Sequence, residues 1–316
     1  MSIYISGSMA FDRIMTFPGK IKDSIIQDKL DSISISFMVD RMEEKFGGCA
    51  GNIAYAMALL EEKPIILSSV GRDFDPYTIH LQNLGLPLDG ITKHNDLFTA
   101  LCYITTDIDN SQITGFYPGA MMASCDYTFD KIDSENDLAI ISPGNVDNMN
   151  AFSTFFKEKK VRYIYDPGQQ IPVISAEELI KGISGSFALS SNAYELEMIC
   201  QKTEKTIAEI QELTTWCITT EGAKGATITG KGEVHKIPAI PVDFIADPTG
   251  AGDAYRGGLL KGIAMNYDIV ESARIASASA SFSVEKFGTQ LHTFTKEEFT
   301  KRYESIYEPL SKPLWR

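Results

Sequence analysis

Asp247-Pro-Thr-Gly-Ala-Gly-Asp253-Ala-Tyr-Arg-Gly-Gly258 is the most informative stretch of this chain, and it opens directly into a sequence of helical composition. Its glycines allow the backbone to turn the N–H groups around Gly250, Ala251 and Gly252 toward one point. The positive end of the helix dipole adds to them, so the stretch predicts an anion site. Asp253 would lie in the first helical turn, where it could take a proton from a hydroxyl beside a bound phosphate. A tight turn followed by an acidic residue at a helix start would explain the same residues without a ligand.

Two other phosphate-binding loops are excluded. Tyr255 stands where the third glycine of a dinucleotide-binding GxGxxG loop would be, and no strand leads straight into the motif. The P-loop pattern GxxxxGK[ST] occurs nowhere in the chain. Neither a nicotinamide-dependent dehydrogenase nor a P-loop protein is therefore expected.

The composition restricts the partners. The 316 residues carry 29 basic and 42 acidic side chains, for a net charge of −13 and a pI of about 4.8. Such an acidic surface repels nucleic acid and anionic lipid, so neither is expected as a partner. The five cysteines form no CxxC pair, which fits a reducing compartment, and the start of the chain lacks the features of a signal peptide. We expect a cytoplasmic protein without a metal cage of Cys and His.

Short apolar stretches alternate with stretches of helical composition, which predicts a mostly parallel sheet with helices on both faces. Two segments, about residues 13–46 and 97–123, break the alternation with β patterns, and residues 33–37 alternate like a strand exposed on one face. We therefore expect residues 1–316 to form one doubly wound α/β domain, in which these two segments form a small β-sheet lid. Strands are expected at residues 3–6, 65–70, 101–106, 138–142, 163–165, 187–190, 216–220, 226–228 and 234–237.

Two glycine motifs occur in this chain in the same order as in one protein family. Residues 247–253 resemble the C-terminal signature of the ribokinase-like (PfkB) carbohydrate and nucleoside kinases, and Gly47-Gly48-Cys-Ala-Gly-Asn52 resembles their N-terminal glycine signature. The likeness implies a ribokinase-like fold and extends from about residue 3 to about residue 292. Further family motifs are matched by Gly7-Ser8-Met-Ala-Phe-Asp12, Val70-Gly-Arg-Asp73 and Asn192-Ala-Tyr-Glu195. The likeness narrows to bacterial-type adenosine kinases at Ser36-Phe37, Phe116-Tyr-Pro-Gly-Ala120 and Asp166-Pro-Gly-Gln-Gln170.

The resemblance implies an ATP-dependent kinase that phosphorylates the ribose 5′-hydroxyl of adenosine, a reaction of purine salvage. The carboxylate of Asp12 and the amide of Asn52 could bind ribose hydroxyls, and the rings of Phe37 and Phe116 could stack on a purine. Simpler interpretations of the same residues are a turn cap for Asp12, a helix N-terminal turn for Asn52 and lid core for Phe37. The full set implied to contact the nucleoside is Ser8, Asp12, Phe37, Gly48, Asn52, Phe116, Gln169 and Gln170.

For the second substrate, the resemblance implies Asp253 as the base beside the phosphates of ATP. Glu195 would hold Mg²⁺ through water, and Asp247 with the turn at 283–288 resembles a monovalent-cation site, for example for K⁺. Magnesium bound mainly by phosphates and water needs no protein cage. Arg256, one helical turn after Asp253, could contact a phosphate or form a salt bridge. The residues implied to contact ATP are Asn192, Thr219, Glu221, Gly222, Thr249, Gly250 and Gly252.

Two other functions stay open. A ribokinase- or fructokinase-like sugar kinase would share the fold, but a small sugar offers no base for Phe116 and the amides of Gln169 and Gln170. A catalytically inactive nucleoside or nucleotide sensor would also share it, and the intact Asp253 and glycine loop argue against that. We further expect a homodimer formed through the lids, with Phe37 near the partner's site, because an exposed strand edge invites pairing.

Overall fold

Two sheets organise the computed structural model, which describes residues 1–24, 35–36, 38–109 and 111–315. Within these residues, nine strands form a central sheet and four form a small sheet. In chain order the strands are β1 Ile3–Ser6, β2 Ala10–Thr16, β3 Arg41–Gly47, β4 Ile65–Gly71, β5 Ile91–His94, β6 Ala100–Thr106, β7 Gln112–Tyr117, β8 Leu138–Ile141, β9 Arg162–Tyr165, β10 Ala188–Asn192, β11 Trp216–Thr220, β12 Ala226–Gly230 and β13 Glu233–Ile237.

The central sheet is mostly parallel, in the order β13-β12-β11-β10-β9-β8-β1-β4-β5. All neighbours from β11 to β5 in this order pair in parallel, while β12 and β13 add an antiparallel hairpin at one edge. Parallel strands covered on both faces form continuous apolar runs, and Leu138–Ile141 is fully buried in this way. The doubly wound, mostly parallel sheet expected from the sequence is confirmed.

Helices cover both faces of this sheet. Along β1, Ile3 and Ile5 join a hydrophobic cluster with α1, α7 and α8, whereas Tyr4 points to the opposite cluster with α3, α4 and α5. No helix in the described part of the chain has the length and apolar character that a membrane crossing needs. The helices are α1 Cys49–Leu59, α2 Asp75–Asn83, α3 Val146–Glu158, α4 Ala176–Ile183, α5 Ala193–Thr203, α6 Ile207–Glu212, α7 Ala251–Ala264, α8 Ile269–Ser283 and α9 Lys296–Glu304.

The small sheet has the strand order β3-β2-β6-β7. Its strands come from the two segments whose β patterns break the alternation, although β2 already begins at Ala10, before the first of them. The pairs β2–β3 and β6–β7 are antiparallel, and β2–β6 is parallel. The strand expected at residues 33–37 falls mostly on positions outside the described residues.

The carboxyl ends of the parallel strands meet at one edge of the central sheet. Ligands of open α/β sheets bind outside this edge. The chain leaves β1 toward the small sheet here, β9 is followed directly by Asp166, and β10 ends at Asn192. Helices α1 and α7 pack against each other with their N-terminal turns at this edge, where Asn52 contacts Asp253.

Candidate active site

Helix α7 begins at the glycine motif. Gly250, just before its first turn, has a φ of 80°, and a Cβ there would lie 2.8 Å from Cγ2 of Thr289, so glycine is required. The first N–H groups of a helix lack partners inside the helix, and here they belong to Ala251, Gly252 and Asp253. That of Ala251 donates to the carbonyl oxygen of Pro248 at 3.2 Å, just before the helix. A helix N-terminus thus lies where the motif predicted one.

A second helix N-terminus, that of α1, lies beside the first. Gly48 has a φ of 88°, and a Cβ there would lie 2.6 Å from the carbonyl oxygen of Ser8. The hydroxyl of Ser8 accepts a hydrogen bond from the N–H of Cys49 at 3.1 Å. Ser8 and Gly48 therefore determine where α1 begins, and this places Asn52 in its first turn.

Asp253 is the residue on which the two helices converge, and it is buried with 9% exposure. Its Oδ2 accepts a hydrogen bond from Nδ2 of Asn52 at 2.8 Å, and its Oδ1 lies 3.6 Å from Nη1 of Arg256. Burial raises the pKa of the Asp253 carboxyl, while the charge of Arg256 and the bond from Asn52 oppose that rise. A buried carboxylate at a helix N-terminus has the properties of a group that removes a proton from a substrate.

Arg256 forms an ion pair with Asp166, the residue that follows β9. Its Nε lies 2.5 Å from Oδ2 of Asp166, and its Nη2 donates to Oδ1 at 2.8 Å. Burial works against the charge, but Asp166 and Asp253 outweigh it and raise the pKa of Arg256. Of the two roles left open for Arg256, the structure shows the salt bridge. Sequence reasoning missed Asp166 as its partner, because the two residues are 90 positions apart.

The small sheet presents a row of four side chains. Its register pairs Lys45 with Asp12, Asp12 with Cys102 and Cys102 with Phe116. Directly opposed residues on neighbouring strands point to the same face of a sheet, so these four share one face. The Phe116 side chain is 53% exposed on it.

Asp12 lies inside β2 and not at the carboxyl end of a strand. The reason is that β1 already stops at Ser6, and β2 begins at Ala10. Burial raises the pKa of Asp12, with Lys45 opposing the rise and Asp247 adding to it. The charges of the small sheet and of the loop before α7 are therefore close enough to interact.

The two adjacent glutamines face different partners. Gln169 is exposed, and its Oε1 lies 3.7 Å from Sγ of Cys49 at the start of α1. Gln170 donates from Nε2 to the carbonyl oxygen of Gly144 at 2.7 Å, which ties it to the loop after β8. Gln169 is thus beside the two helix N-termini, and Gln170 holds the backbone around them. Phe37 is outside the described residues.

Asn192 and Glu195 form a capping box at the start of α5. The backbone N–H of Asn192 donates to Oε2 of Glu195 at 2.8 Å, and Oδ1 of Asn192 accepts from the N–H of Glu195 at 2.8 Å. Thr219 lies near the end of β11 and Glu221 just after it, with the Glu221 carboxylate accepting from Thr227 at 3.3 Å. Gly222, with a φ of 58°, has open space where a Cβ would lie.

Asp247 connects the loop before α7 to the turn at 283–288. Its Oδ1 accepts from the N–H of Thr249 at 2.9 Å, and its Oδ2 accepts from the N–H of Gly288 at 3.1 Å. The described residues contain no group of three or more His, Cys, Asp or Glu side chains suited to hold a metal ion.

Known proteins are similar to this chain in both sequence and fold. The model of the pfkB family carbohydrate kinases matches residues 21–296. A nucleoside kinase of Methanocaldococcus jannaschii is 30% identical over 280 residues, which cover 88% of this chain and 91% of that protein. The structure of a Burkholderia thailandensis nucleoside kinase in complex with inosine is 36% identical with a TM-score of 0.86, covering 98% of this chain and 100% of that one. Its complex with ADP-inosine, also 36% identical, has a TM-score of 0.83 and covers 98% of this chain and 97% of that one.

The family likeness of the two glycine motifs is thereby confirmed. The match covers the helix N-termini of α1 and α7 together with the strands from β3 to β13. The chain belongs to the pfkB family of carbohydrate kinases, phosphotransferases that act on hydroxyl groups.

Proposed function

We propose that this chain is an ATP-dependent nucleoside kinase whose acceptor is adenosine, phosphorylated on the ribose 5′-hydroxyl to give AMP and ADP. The observation that carries the proposal is the row of side chains on one face of the small sheet. Asp12 and Phe116 lie two strands apart in this row, a distance of about 10 Å. A carboxylate for ribose hydroxyls and an exposed ring for a base are thus presented together. The relatives named nucleoside kinases, one of them in complex with inosine, support the same substrate class.

In the proposed reaction, Asp253 accepts the proton of the 5′-hydroxyl while that oxygen attacks the γ-phosphorus of ATP and ADP leaves. The N–H groups of Gly250 and Gly252 stabilise the charge on the transferring phosphoryl group, while that of Ala251, also implied by the resemblance, donates to the carbonyl oxygen of Pro248 at 3.2 Å. Arg256 keeps the Asp253 carboxylate in place and is itself held by Asp166. The small sheet acts as a lid that excludes water, so that ATP is not hydrolysed.

Two cations belong to this proposal. Mg²⁺ would neutralise charge on the phosphates, held by them and by water, with Glu195 as the outer protein contact. Asp247 would hold a monovalent cation such as K⁺, since a carboxylate has about four acceptor positions and the two backbone N–H groups occupy only some of them.

A panel of acceptors tests the substrate class. We expect kcat/KM for adenosine to exceed that for ribose and fructose, with inosine measured beside them. Removing the ring in Phe116→Ala should weaken the binding of adenosine, and so lower its kcat/KM, by about 5- to 150-fold, since a stacked base contributes about 1–3 kcal/mol. Ribose has no base, so any activity with ribose should stay almost unchanged.

Tyr117→Ala is the matched control for this experiment. Tyr117 follows Phe116 in β7 and points to the opposite face of the sheet. Its loss should therefore not lower kcat/KM for adenosine more than kcat/KM for ribose. A wild-type preference for a free sugar would instead support the sugar kinase, and equal losses for adenosine and ribose in Phe116→Ala would remove the stacking role. Binding of nucleoside without consumption of ATP would support the sensor.

A further inference from the structure

Behind Asp253 lies a chain of polar side chains that the proposed reaction does not use. Oδ1 of Asn52 accepts a hydrogen bond from Nε2 of Gln290 at 3.0 Å, and the same Nε2 lies 2.6 Å from the hydroxyl of Tyr77. Oε1 of Gln290 lies 2.9 Å from Nε2 of His80. Gln290 is 5% exposed and Tyr77 is fully buried, so these groups depend on one another for hydrogen bonds.

The donor and the acceptor of each hydrogen bond in this series of side chains are determined. The single hydrogen of the Tyr77 hydroxyl is donated to the carbonyl oxygen of Gly47 at 2.9 Å, so the hydroxyl must accept from Gln290. The NH₂ group of Gln290 therefore faces Tyr77 and Asn52, and its carbonyl faces His80. The atom of Asn52 that meets this NH₂ must be the amide oxygen, which leaves the NH₂ of Asn52 facing Asp253.

His80 completes the orientation of Gln290. Its ring stacks on Phe46 with centroids 4.4 Å apart and lies parallel to Tyr55 at 6.0 Å. To bond the carbonyl of Gln290, its Nε2 must carry a hydrogen, as it does in one neutral tautomer and in the charged form alike. Burial lowers the pKa of His80, although the bond to Gln290 opposes this. Because Nε2 carries a hydrogen in both forms, protonation of His80 would not reverse the direction of these hydrogen bonds.

We propose that Gln290, held by Tyr77 and His80, is a positioning residue that turns the amide of Asn52 so that its NH₂ group faces Asp253. The inference rests on the proposed function, in which Asp253 is the base. An NH₂ group can only donate, so it favours the Asp253 oxygen in its unprotonated state. With the amide of Asn52 reversed, an oxygen would face the carboxylate and favour the protonated acid, which cannot act as a base.

Other charged groups also act on Asp253, so the effect of Gln290 is a part of the whole. Arg256 faces it from α7, Asp166 from the end of β9 and Glu195 from α5, and the neutral side chains of Cys49 and Tyr77 are also near it. Among these residues Tyr77 bonds to Gln290, and the charges of Arg256, Asp166 and Glu195 are unchanged in a Gln290 variant. One hydrogen bond to a charged group corresponds to about one pH unit in the titration of Asp253.

The test is the pH profile of kcat/KM for adenosine in Gln290→Met. Methionine adds no charge and removes the donor, so the amide of Asn52 is no longer held with its NH₂ toward Asp253. We expect the acid limb of the profile to move upward by about one pH unit, which lowers kcat/KM about tenfold on that limb, with little change in KM. Gln82→Met is the matched control, because it makes the same change at an exposed position of α2 and should leave the limb in place.

Two further measurements separate this role from a structural one. If Gln290 acts through Asn52, Gln290→Met should move the limb in the wild-type background and should not move it further in an Asn52→Ala background. A lower melting temperature with an unmoved limb, or equal movement in both backgrounds, would overturn the proposal.

The titration of Asp253 can also be followed without turnover, by carboxyl ¹³C NMR with the signal assigned from Asp253→Asn. The Asp253 pKa should rise in Gln290→Met, and an unchanged pKa would overturn the role of Gln290. If the wild type phosphorylates neither adenosine nor inosine, the proposed function fails, and this titration still decides the orientation of Asn52.

Discussion

At the scale of single residues, the proposed chemistry depends on one proton at Asp253. Asp253→Asn keeps the size of the side chain but removes its ability to accept that proton. General-base groups contribute about 10²- to 10⁴-fold, so we expect kcat for adenosine to fall by at least that much. Binding of adenosine, measured by calorimetry, should remain.

Asp243→Asn supplies the control, because Asp243 is an exposed carboxylate on the stretch that leads to the same loop. It should leave kcat close to the wild-type value. Turnover in Asp253→Asn that equals the turnover of this control would remove Asp253 from the role of base.

Which of these residues could be predicted from the sequence depends on how local their signals are. Asp253 and Asn52 each stand beside glycines at a helix start, and that pattern fits within about a dozen positions. The bond between Gln290 and Asn52 joins residues 238 positions apart, and the pair of Arg256 and Asp166 joins residues 90 positions apart. No local pattern marks Gln290 as a partner, so only the fold reveals its contact with the site.

At the scale of elements, α7 was expected as a helix although it contains Gly257 and Gly258, which each cost about 1 kcal/mol of helix propensity. The structure gives the reason for both. A Cβ on Gly258 would lie 2.7 Å from Cα of Ala276 in α8, and a Cβ on Gly257 would lie 2.7 Å from Cβ of Ala56 in α1. The glycines let α1 and α8 approach α7 closely, and this approach brings the two helix N-termini together.

The edges of the small sheet are the element-scale basis of the proposed homodimer. Strand β7 is an edge strand that is exposed along its whole length, with Ile113 47% exposed, and such an edge invites pairing with another chain. We expect light scattering at micromolar concentration to give twice the chain mass of 34.9 kDa. Ile113→Lys should reduce this to the single mass, because lysine on an edge opposes pairing.

Val234→Lys provides the comparison, since Val234 is 64% exposed on β13, the edge strand of the central sheet. This variant should keep the double mass. A monomeric wild type would contradict the dimer, and loss of the double mass in both variants would contradict its location at β7.

At the scale of the whole molecule, His292 makes the stability of the fold depend on pH. It is 1% exposed, and within the described residues neither of its ring nitrogens has a hydrogen-bond partner. Its ring packs edge-on against Tyr55, with centroids 5.2 Å apart. Burial lowers the pKa of His292 to about 4, so the folded protein holds this histidine in its neutral form.

Protonation of His292 should therefore favour unfolding. In the unfolded chain a histidine takes up its proton near pH 6.5, and in the folded protein near pH 4. The stability that depends on the neutral ring is complete above pH 6.5 and is lost as the pH falls from 6.5 toward 4, by up to about 3 kcal/mol. Urea unfolding at pH 7, 6 and 5 should show wild type losing more of its free energy of unfolding than His292→Leu. His235→Leu, at a partly exposed histidine, should follow the wild type, and equal slopes for wild type and His292→Leu would show that His292 is not the group responsible.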